Sequence, residues 1–244
     1  MVHINSMLDR PEQRECVTLD FNKQVCPAAV TQTVNGGAKF YVVYDQFRYA
    51  IGDVIFGDRV VKGDCTFTCR EVIEDVTSDN KEVLKIRTID AGTGVSLLEF
   101  IETEPNSNKY VDLERTPLEI NFSNKTLPTG FSVFYDVTTS TTTISIEQHL
   151  RNQYCIGKII VGPNVVESTK CIERSISLWK RRDGKQVISV DTTSSNEVVE
   201  SFYLIEQHAG MDDYTPYDPR EGLDDIEIGS IEDELDFSLD SDSV

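Results

Sequence analysis

The stretch EVLKIRTIDAGTGVSLLEFIETE, residues 82–104, decides the fold class. On both sides of its DAGTG segment, apolar and polar residues alternate with a period of two, as in a half-buried β-strand. Val, Ile, Thr and Phe are frequent, and these residue types favour pleated surfaces. Two such runs joined by a short Gly-containing turn predict a β-hairpin.

The same pattern recurs along most of the chain. It predicts further strands over residues 39–45, 64–75, 130–139, 155–162, 173–181, 185–191 and 197–207. Compact turn signals separate them, such as NGG at Asn35, SDNK at Ser78 and RDGK at Arg182. Many short strands with regular turns predict an all-β fold, an antiparallel sandwich or a jelly-roll-like barrel.

One segment predicts a short helix within this β-structure. In SIEQHLRNQY, residues 145–154, helical spacing places Ile146, Leu150 and Tyr154 on one face. Ser145 and Gln148 have the separation of a capping box, which would begin the helix at this point.

The charge of the chain is concentrated at its C-terminal end. The 244 residues carry a net charge of −19, and residues 211–244 contain 13 acidic residues against one basic residue, Arg220. Such a segment cannot bury enough apolar surface to fold alone. We therefore predict an N-terminal arm over residues 1–27, one β domain over 28–209 and a disordered, flexible acidic tail over 210–244.

Two short sequences occur twice, but they do not indicate an internal duplication. VVES begins at Val165 and Val198, and IEQH begins at Ile146 and Ile205, so their separations are 33 and 59 residues. A duplication would keep a single separation. The prediction is therefore that the chain contains no repeat.

The N-terminal sequence does not resemble an export signal, and no apolar run is long enough to cross a bilayer. We therefore expect a cytoplasmic or nuclear protein. In a reducing compartment the six cysteines are expected to be free thiols, mostly acting as small buried hydrophobes.

No motif of the sequence supports catalysis or a bound cofactor. His149 and His208, each two residues after a Glu, could bind zinc with Cys155 and Cys171, but close ligand pairs of the zinc-site type are absent. The Gly-Asp pairs at 52–53, 57–58 and 63–64 could gather oxygen ligands for calcium, yet turns explain them more simply. The prediction is no enzyme, no metal and no cofactor.

A basic hairpin tip is the most informative local feature. SLWKRRDGKQ combines the only tryptophan with four cations around an Asp-Gly turn: Trp179, Lys180, Arg181, Arg182 and Lys185. Cations beside an aromatic ring are typical of surfaces that bind single-stranded nucleic acid. Two alternatives are a solvated turn with Trp179 in the core, and a patch that the acidic tail covers in competition with an outside anion.

The acidic tail also carries the apolar residues Ile228, Ile231, Leu235, Phe237 and Leu239. Four of them, Ile228, Ile231, Leu235 and Leu239, are spaced by three and four residues, as on one face of a helix. Alternation of acidic and apolar residues is typical of segments that dock into a protein partner, although a merely solvated terminus is the alternative. Ser230 is followed by acidic residues, so it is a candidate phosphorylation site.

Together these features predict a non-enzymatic macromolecule-binding protein. Its basic hairpin would contact single-stranded nucleic acid, and its tail would regulate that binding or dock a protein partner. The alternative is a viral structural, assembly or movement-type jelly-roll protein, with a homo-oligomer as a possible state in either case.

Overall fold

The computed structural model describes residues 14–219 apart from 24, 66–67, 91, 93, 125 and 168–171, together with residues 238–239. Most of these residues lie in strands, and the rest form turns, loops and two short 3₁₀ turns, which confirms the predicted all-β class. The strands are β1 Glu15–Asp20, β2 Val30–Asn35, β3 Ala38–Val43, β4 Tyr49–Phe56, β5 Arg59–Val61, β6 Thr68–Val76, β7 Glu82–Asp90, β8 Gly94–Glu102, β9 Tyr110–Asp112, β10 Thr116–Asn121, β11 Thr126–Leu127, β12 Phe131–Asp136, β13 Thr141–Ile146, β14 Tyr154–Val161, β15 Asn164–Val166, β16 Glu173–Lys180, β17 Gln186–Thr193, β18 Val199–Glu206, β19 Tyr214–Pro216 and β20 Ser238–Leu239.

The chain forms two compact units where the sequence predicted one β domain over residues 28–209. Unit 1 comprises residues 1–114 and 195–197, and unit 2 comprises residues 115–194 and 198–244. Strand β1 lies within the predicted N-terminal arm, and β19 lies within the predicted tail. Both are paired strands, so the folded region extends further in each direction than residues 28–209.

Unit 1 is a sandwich of two sheets. One has the order β1-β4-β5, with β1 parallel to β4, and the other has the antiparallel order β2-β3-β6-β7-β8-β9. Inward-facing residues of both sheets, including Leu19, Phe56 and Leu84, form one buried cluster. Burial of this apolar surface between the sheets is the main stabilising contribution.

Unit 2 repeats this topology strand for strand. Its sheets have the orders β10-β14-β15 and β12-β13-β16-β17-β18-β19, again with the first pair parallel. A further two-stranded sheet pairs β11 with β20. The prediction that the chain contains no internal duplication is therefore wrong.

The pairing register shows that the repetition extends to single residues. In unit 1 the β1–β4 register shifts between Val17 and Leu19, and in unit 2 the β10–β14 register shifts at the matching place, between Leu118 and Ile120. The β4–β5 sequence YAIGDVIFGDRVV and the β14–β15 sequence YCIGKIIVGPNVV are 105 residues apart and share Tyr, Ile, Gly and Val at matching positions. Gly52-Asp53, expected in a turn, is therefore part of a strand.

A buried arginine joins the two sheets in each unit. Arg70 donates from Nε to Thr88 Oγ1 and from a terminal nitrogen to the carbonyl of Gly52. Arg174, 104 residues later, makes the same two contacts with Thr192 and Gly157. Burial lowers the pKa of Arg70. Because each arginine satisfies a carbonyl between the sheets, it supports the fold.

Unit 1 contains a disulfide that the sequence did not predict. Cys16 of β1 bonds to Cys65, while Cys26 and Cys69 are free thiols. The expectation that all cysteines are reduced is wrong for this pair. A side chain on Gly52 would lie 2.9 Å from both sulfur atoms, so glycine is required there. In unit 2, Pro117 occupies the position of Cys16. It is the strand partner of Cys155, and its ring lies against Gly157.

The helix predicted over residues 145–154 is mostly absent. Ser145 and Ile146 end β13, Gln148–Leu150 form a single 3₁₀ turn, and Tyr154 begins β14. The only other 3₁₀ turn in the described part of the chain is Phe21–Lys23. Across these same residues, no helix has the length and apolarity to cross a membrane.

Candidate functional site

The basic hairpin predicted from the sequence joins β16 to β17 in unit 2. The amide of Arg181 donates to the carbonyl of Lys185, and the amide of Gly184 donates to the carbonyl of Arg181. Gly184 has a φ of 81°, which glycine adopts without strain. The amide of Lys185 also donates to Asp183 Oδ1 at 3.2 Å. The Asp-Gly signal thus marked the turn correctly.

Trp179 lies on the face of β16 opposite the core of unit 2. Its neighbour Leu178 is fully buried in that core, and successive strand residues point to opposite faces. Trp179 is half-buried and contacts Tyr203 of β18 edge-on, with ring centroids 6.4 Å apart. The single tryptophan is therefore part of a sheet surface.

The four predicted cations divide between different places. Arg181 and Lys185 are paired at the end of the hairpin and follow the alternation of Trp179, so they lie on its face. Lys180 lies on the opposite face, and Arg182 lies in the exposed turn. The structure therefore places only two of the four cations beside Trp179.

Two tyrosines that the sequence did not single out complete this surface. The guanidinium carbon of Arg181 lies 5.8 Å from the ring centre of Tyr217, and the amide of Tyr217 donates to the carbonyl of Tyr203. Both tyrosines, with Phe202, Pro216 and Pro219, line an open groove of about 610 Å³. We call Trp179, Arg181, Lys185, Tyr203 and Tyr217 the aromatic–basic face.

Unit 1 has no such face. The positions 104 residues earlier hold Asp75 for Trp179, Thr77 for Arg181, Glu99 for Tyr203 and Leu113 for Tyr217. The backbone is the same, since the amide of Leu113 donates to the carbonyl of Glu99 as Tyr217 does to Tyr203. The aromatic rings and Arg181 are thus a property of unit 2, whereas Lys185 has a counterpart in Lys81 of unit 1.

A second candidate site is a polar cavity of about 560 Å³ in unit 1, which no local sequence signal indicated. We call it the unit 1 cavity. The side chains that determine its chemistry come from β1, β3, β6, β7, β8 and β9 and from the segment after β1; they are Asp20, Phe21, Cys26, Lys39, Tyr41, Glu74, Glu82, Glu102 and Tyr110.

One wall of the unit 1 cavity is a three-residue network on β3 and β6. Lys39 pairs with Glu74 Oε1, and the hydroxyl of Tyr41 donates to Glu74 Oε2 at 2.6 Å. Tyr41 also contacts the ring of Phe21 edge-on, with centroids 5.2 Å apart. Burial and the bond to Glu74 raise the pKa of Tyr41, so its hydroxyl stays a donor.

The other wall carries two carboxylates with different surroundings. Glu102 is buried and accepts backbone amides from Glu82, Asn106 and Asn108. Glu82 accepts one hydrogen bond, at 2.8 Å, from the hydroxyl of Tyr110. Burial raises the pKa of Glu82, and the nearby carboxylates reinforce the shift. With one hydrogen bond, from Tyr110, the carboxyl group of Glu82 retains capacity to accept hydrogen bonds from a ligand.

Unit 2 fills the same space with its core. The strand registers match Lys39 with Thr142, Tyr41 with Ile144 and Glu74 with Leu178. The segment before β12 matches Cys26 with Leu127. Ile144, Leu178 and Leu127 all belong to the buried cluster of unit 2.

The IEQH pairs do not form a common site. The first lies at the end of β13, where His149 contacts Glu147 at 3.4 Å, and the second follows β18, where His208 contacts Asp213 at 2.7 Å. The bond to His208 lowers the pKa of Asp213. The two copies occupy different positions of the repeat. Within the described ranges, no group of His, Cys, Asp and Glu is arranged to hold a metal ion.

Most of the predicted tail site lies outside the described residues. This applies to Ile228, Ser230, Ile231, Leu235 and Phe237. Leu239 lies in β20 and pairs with Leu127 of β11. In comparisons with known proteins, no family model, no curated protein and no solved structure matches this chain.

Proposed function

We propose that the protein is a non-enzymatic binding protein whose aromatic–basic face binds single-stranded nucleic acid. The observation that carries this proposal is the clustering of Trp179, Tyr203 and Tyr217 with the guanidinium of Arg181 on one sheet surface. Aromatic rings at a protein surface stack with unpaired bases, and guanidinium groups pair with phosphate.

The charge of the chain favours stacking over simple electrostatic attraction. A protein with a net charge of −19 repels the phosphate backbone at a distance. Arg181 and Lys185 are the two cations on the face, and Asp183 and Asp218 lie near them. We therefore expect a short binding site and a weak dependence on salt, with a slope on the order of −1 to −2 in a plot of log K against log salt.

The acidic tail is positioned along the sequence to act as a competitor. The groove beside Tyr217 ends at Pro219, and residues 220–244, which follow it, contain ten acidic residues against one basic residue, Arg220. Its carboxylates would occupy the cations of the face in the absence of nucleic acid. This proposal predicts weak binding by the full chain and tighter binding after removal of residues 220–244.

The test uses the fluorescence of Trp179, the only tryptophan. Titration with a single-stranded oligonucleotide should quench it, and fluorescence anisotropy of a labelled oligonucleotide should give the affinity. Tyr203→Ala and Arg181→Ala should each weaken binding by about 1–3 kcal/mol, since stacking on one ring contributes that much. Truncation after Pro219 leaves β19 intact and should tighten binding.

Arg48→Ala is the matched control, because Arg48 lies over the ring of Tyr49 at 5.7 Å in unit 1. It should leave the affinity unchanged. Equal loss with Arg48→Ala and Arg181→Ala, or no quenching with either chain length, would contradict the proposal. Quenching by a proline- and aromatic-rich peptide but not by the oligonucleotide would assign the groove to a protein partner instead.

A further inference from the structure

The polar residues of the unit 1 cavity are not required for the fold. Unit 2 builds the same strands in the same register with Leu127, Ile144 and Leu178 in that space. Polar groups in a partly buried space cost stability relative to apolar residues that pack. A polar cavity in one unit and an apolar core in the other therefore indicates that the cavity residues serve recognition.

The size of the cavity suits a small organic ligand or a side chain. Its volume of about 560 Å³ lies in the range of ordinary ligand pockets. A single metal ion would not fill it, and the described residues contain no cluster suited to one. The ring of Phe21 against Tyr41 adds an apolar wall, which the carbon chain of a ligand can contact.

The polar side chains determine the charge of the ligand. Asp20, Glu74, Glu82 and Glu102 line the cavity, and among the described residues Lys39 is the one cation in its lining. Lys23 pairs with Asp20, and Lys39 pairs with Glu74. Glu102 is occupied by backbone amides. Glu82, with one bond from Tyr110, is the carboxylate left to bind a donor, and an anionic ligand would be repelled.

We propose that the unit 1 cavity binds the amine or guanidinium group of an organic cation, with Glu82 as its principal acceptor and Tyr41 and Phe21 as the wall for its carbon chain. A charged donor on a carboxylate forms the stronger class of hydrogen bond. This site is separate from the aromatic–basic face, and it does not depend on the nucleic-acid proposal.

Isothermal titration calorimetry on the full chain tests the proposal with four probes. Spermidine and agmatine represent free cations, acetyl-Gly-Arg-Gly-amide represents a basic protein side chain, and acetyl-Gly-Gln-Gly-amide is the neutral control. Tighter binding of the peptide than of the free amines assigns the cation to a protein partner, and the reverse assigns it to a metabolite. The absence of saturable binding by all three cations at millimolar concentration overturns the proposal.

Glu82→Gln is the decisive variant because unit 2 carries Gln186 at the matching position and Tyr214 bonds to it as Tyr110 bonds to Glu82. The variant should therefore fold, and it should bind the cations at least about tenfold more weakly. Glu200→Gln, an exposed carboxylate of unit 2, is the control and should bind as the native chain does. Unchanged affinity in Glu82→Gln, or equal loss in both variants, overturns the assignment.

A second variant introduces the packing of unit 2 into unit 1. It combines Cys26→Leu, Lys39→Thr, Tyr41→Ile and Glu74→Leu, so the cavity is filled as in unit 2. Binding should be lost while circular dichroism keeps the native β spectrum. Retained binding places the cation elsewhere and overturns the proposal; if this variant does not fold, Glu82→Gln decides alone.

Discussion

Unit 1 and unit 2 have the same strand order, the same register shift and the same buried arginine, yet they differ at the cavity and at the aromatic–basic face. The features that they share are those the fold requires. Glu102 and Glu206, for example, each accept amides of the turn that follows their strand. The differences therefore separate residues that hold the sandwich together from residues available for binding.

The sharpest difference is a single position of the six-stranded sheet, where unit 1 has Glu74 and unit 2 has Leu178. Glu74 has two partners, Lys39 and Tyr41. Leu178 is fully buried, and a carboxylate there would face Thr142 and Ile144 without a cation. A glutamate at this position therefore has a cation and a hydroxyl as partners in unit 1, and it would lack both of these partners in unit 2.

Leu178→Glu should therefore have the largest effect, destabilising unit 2 by about 4 kcal/mol or more, because it buries an unpaired carboxylate. The reverse change, Glu74→Leu, should cost only about 1–2 kcal/mol, because Lys39 is partly exposed and can turn to solvent, whereas the Tyr41 hydroxyl loses its acceptor. Urea unfolding monitored by Trp179 fluorescence reports on unit 2, and circular dichroism reports on both units. Similar losses in both variants would mean that the two positions are not equivalent.

The Cys16–Cys65 disulfide provides the next largest difference, because unit 2 has Pro117 at the position of Cys16. It closes a loop over a sequence separation of 49 residues, and a cross-link of this kind stabilises by about 2–4 kcal/mol. Cys16→Ser with Cys65→Ser should lower the stability of unit 1 by that amount and leave the Trp179 transition unchanged. Reduction of the native chain should have the same effect on unit 1, and Cys69→Ser is the control. A shift of the Trp179 transition in the double variant would contradict the expectation.

The sequence was sufficient for the fold class and for most long strands, because their alternating pattern is local. Strand β7 lies where EVLKIRTID predicted it, and the hairpin at Asp183-Gly184 forms as its turn signal indicates. Strand β4 was missed because Gly52 and Gly57 resemble turn residues. Gly52 in fact lies within the strand, where the sulfur atoms of Cys16 and Cys65 leave no room for a side chain. SIEQHLRNQY has helical spacing, but its ends pair in β13 and β14.

The duplication and both sites depend on residues that are distant in the sequence. Identical short sequences do not reveal the duplication, because the two copies of IEQH lie at different places in the repeat. The segments that do correspond, YAIGDVIFGDRVV and YCIGKIIVGPNVV, are identical at only some of their positions. The pairing of β16, β17, β18 and β19 brings Tyr203 to Trp179 and Tyr217 to Arg181. The residues of the unit 1 cavity could be recognised as unusual only by comparison with unit 2, where core residues occupy the matching positions.

The smallest and most specific difference concerns pH, at the position where unit 1 has Glu82 and unit 2 has Gln186. Burial raises the pKa of Glu82 above its ordinary value of 4.5. As pH rises past that value, the unfolded chain loses the proton while the folded carboxyl keeps it, so the stability of unit 1 falls until the folded pKa is passed. Glu82→Gln should remove this fall.

The variant should therefore match the native chain near pH 4 and exceed it in stability near pH 7, measured by thermal unfolding across that range. Asp20, Lys39, Glu74 and Glu102 face the same cavity and are unchanged in both proteins, so the difference isolates Glu82. A bound cation acts in the opposite direction, because it stabilises the ionised carboxylate. Spermidine should thus reduce the gap between the two proteins at pH 7 and leave it unchanged at pH 4, whereas an equal effect at both values would show that Glu82 is not its acceptor.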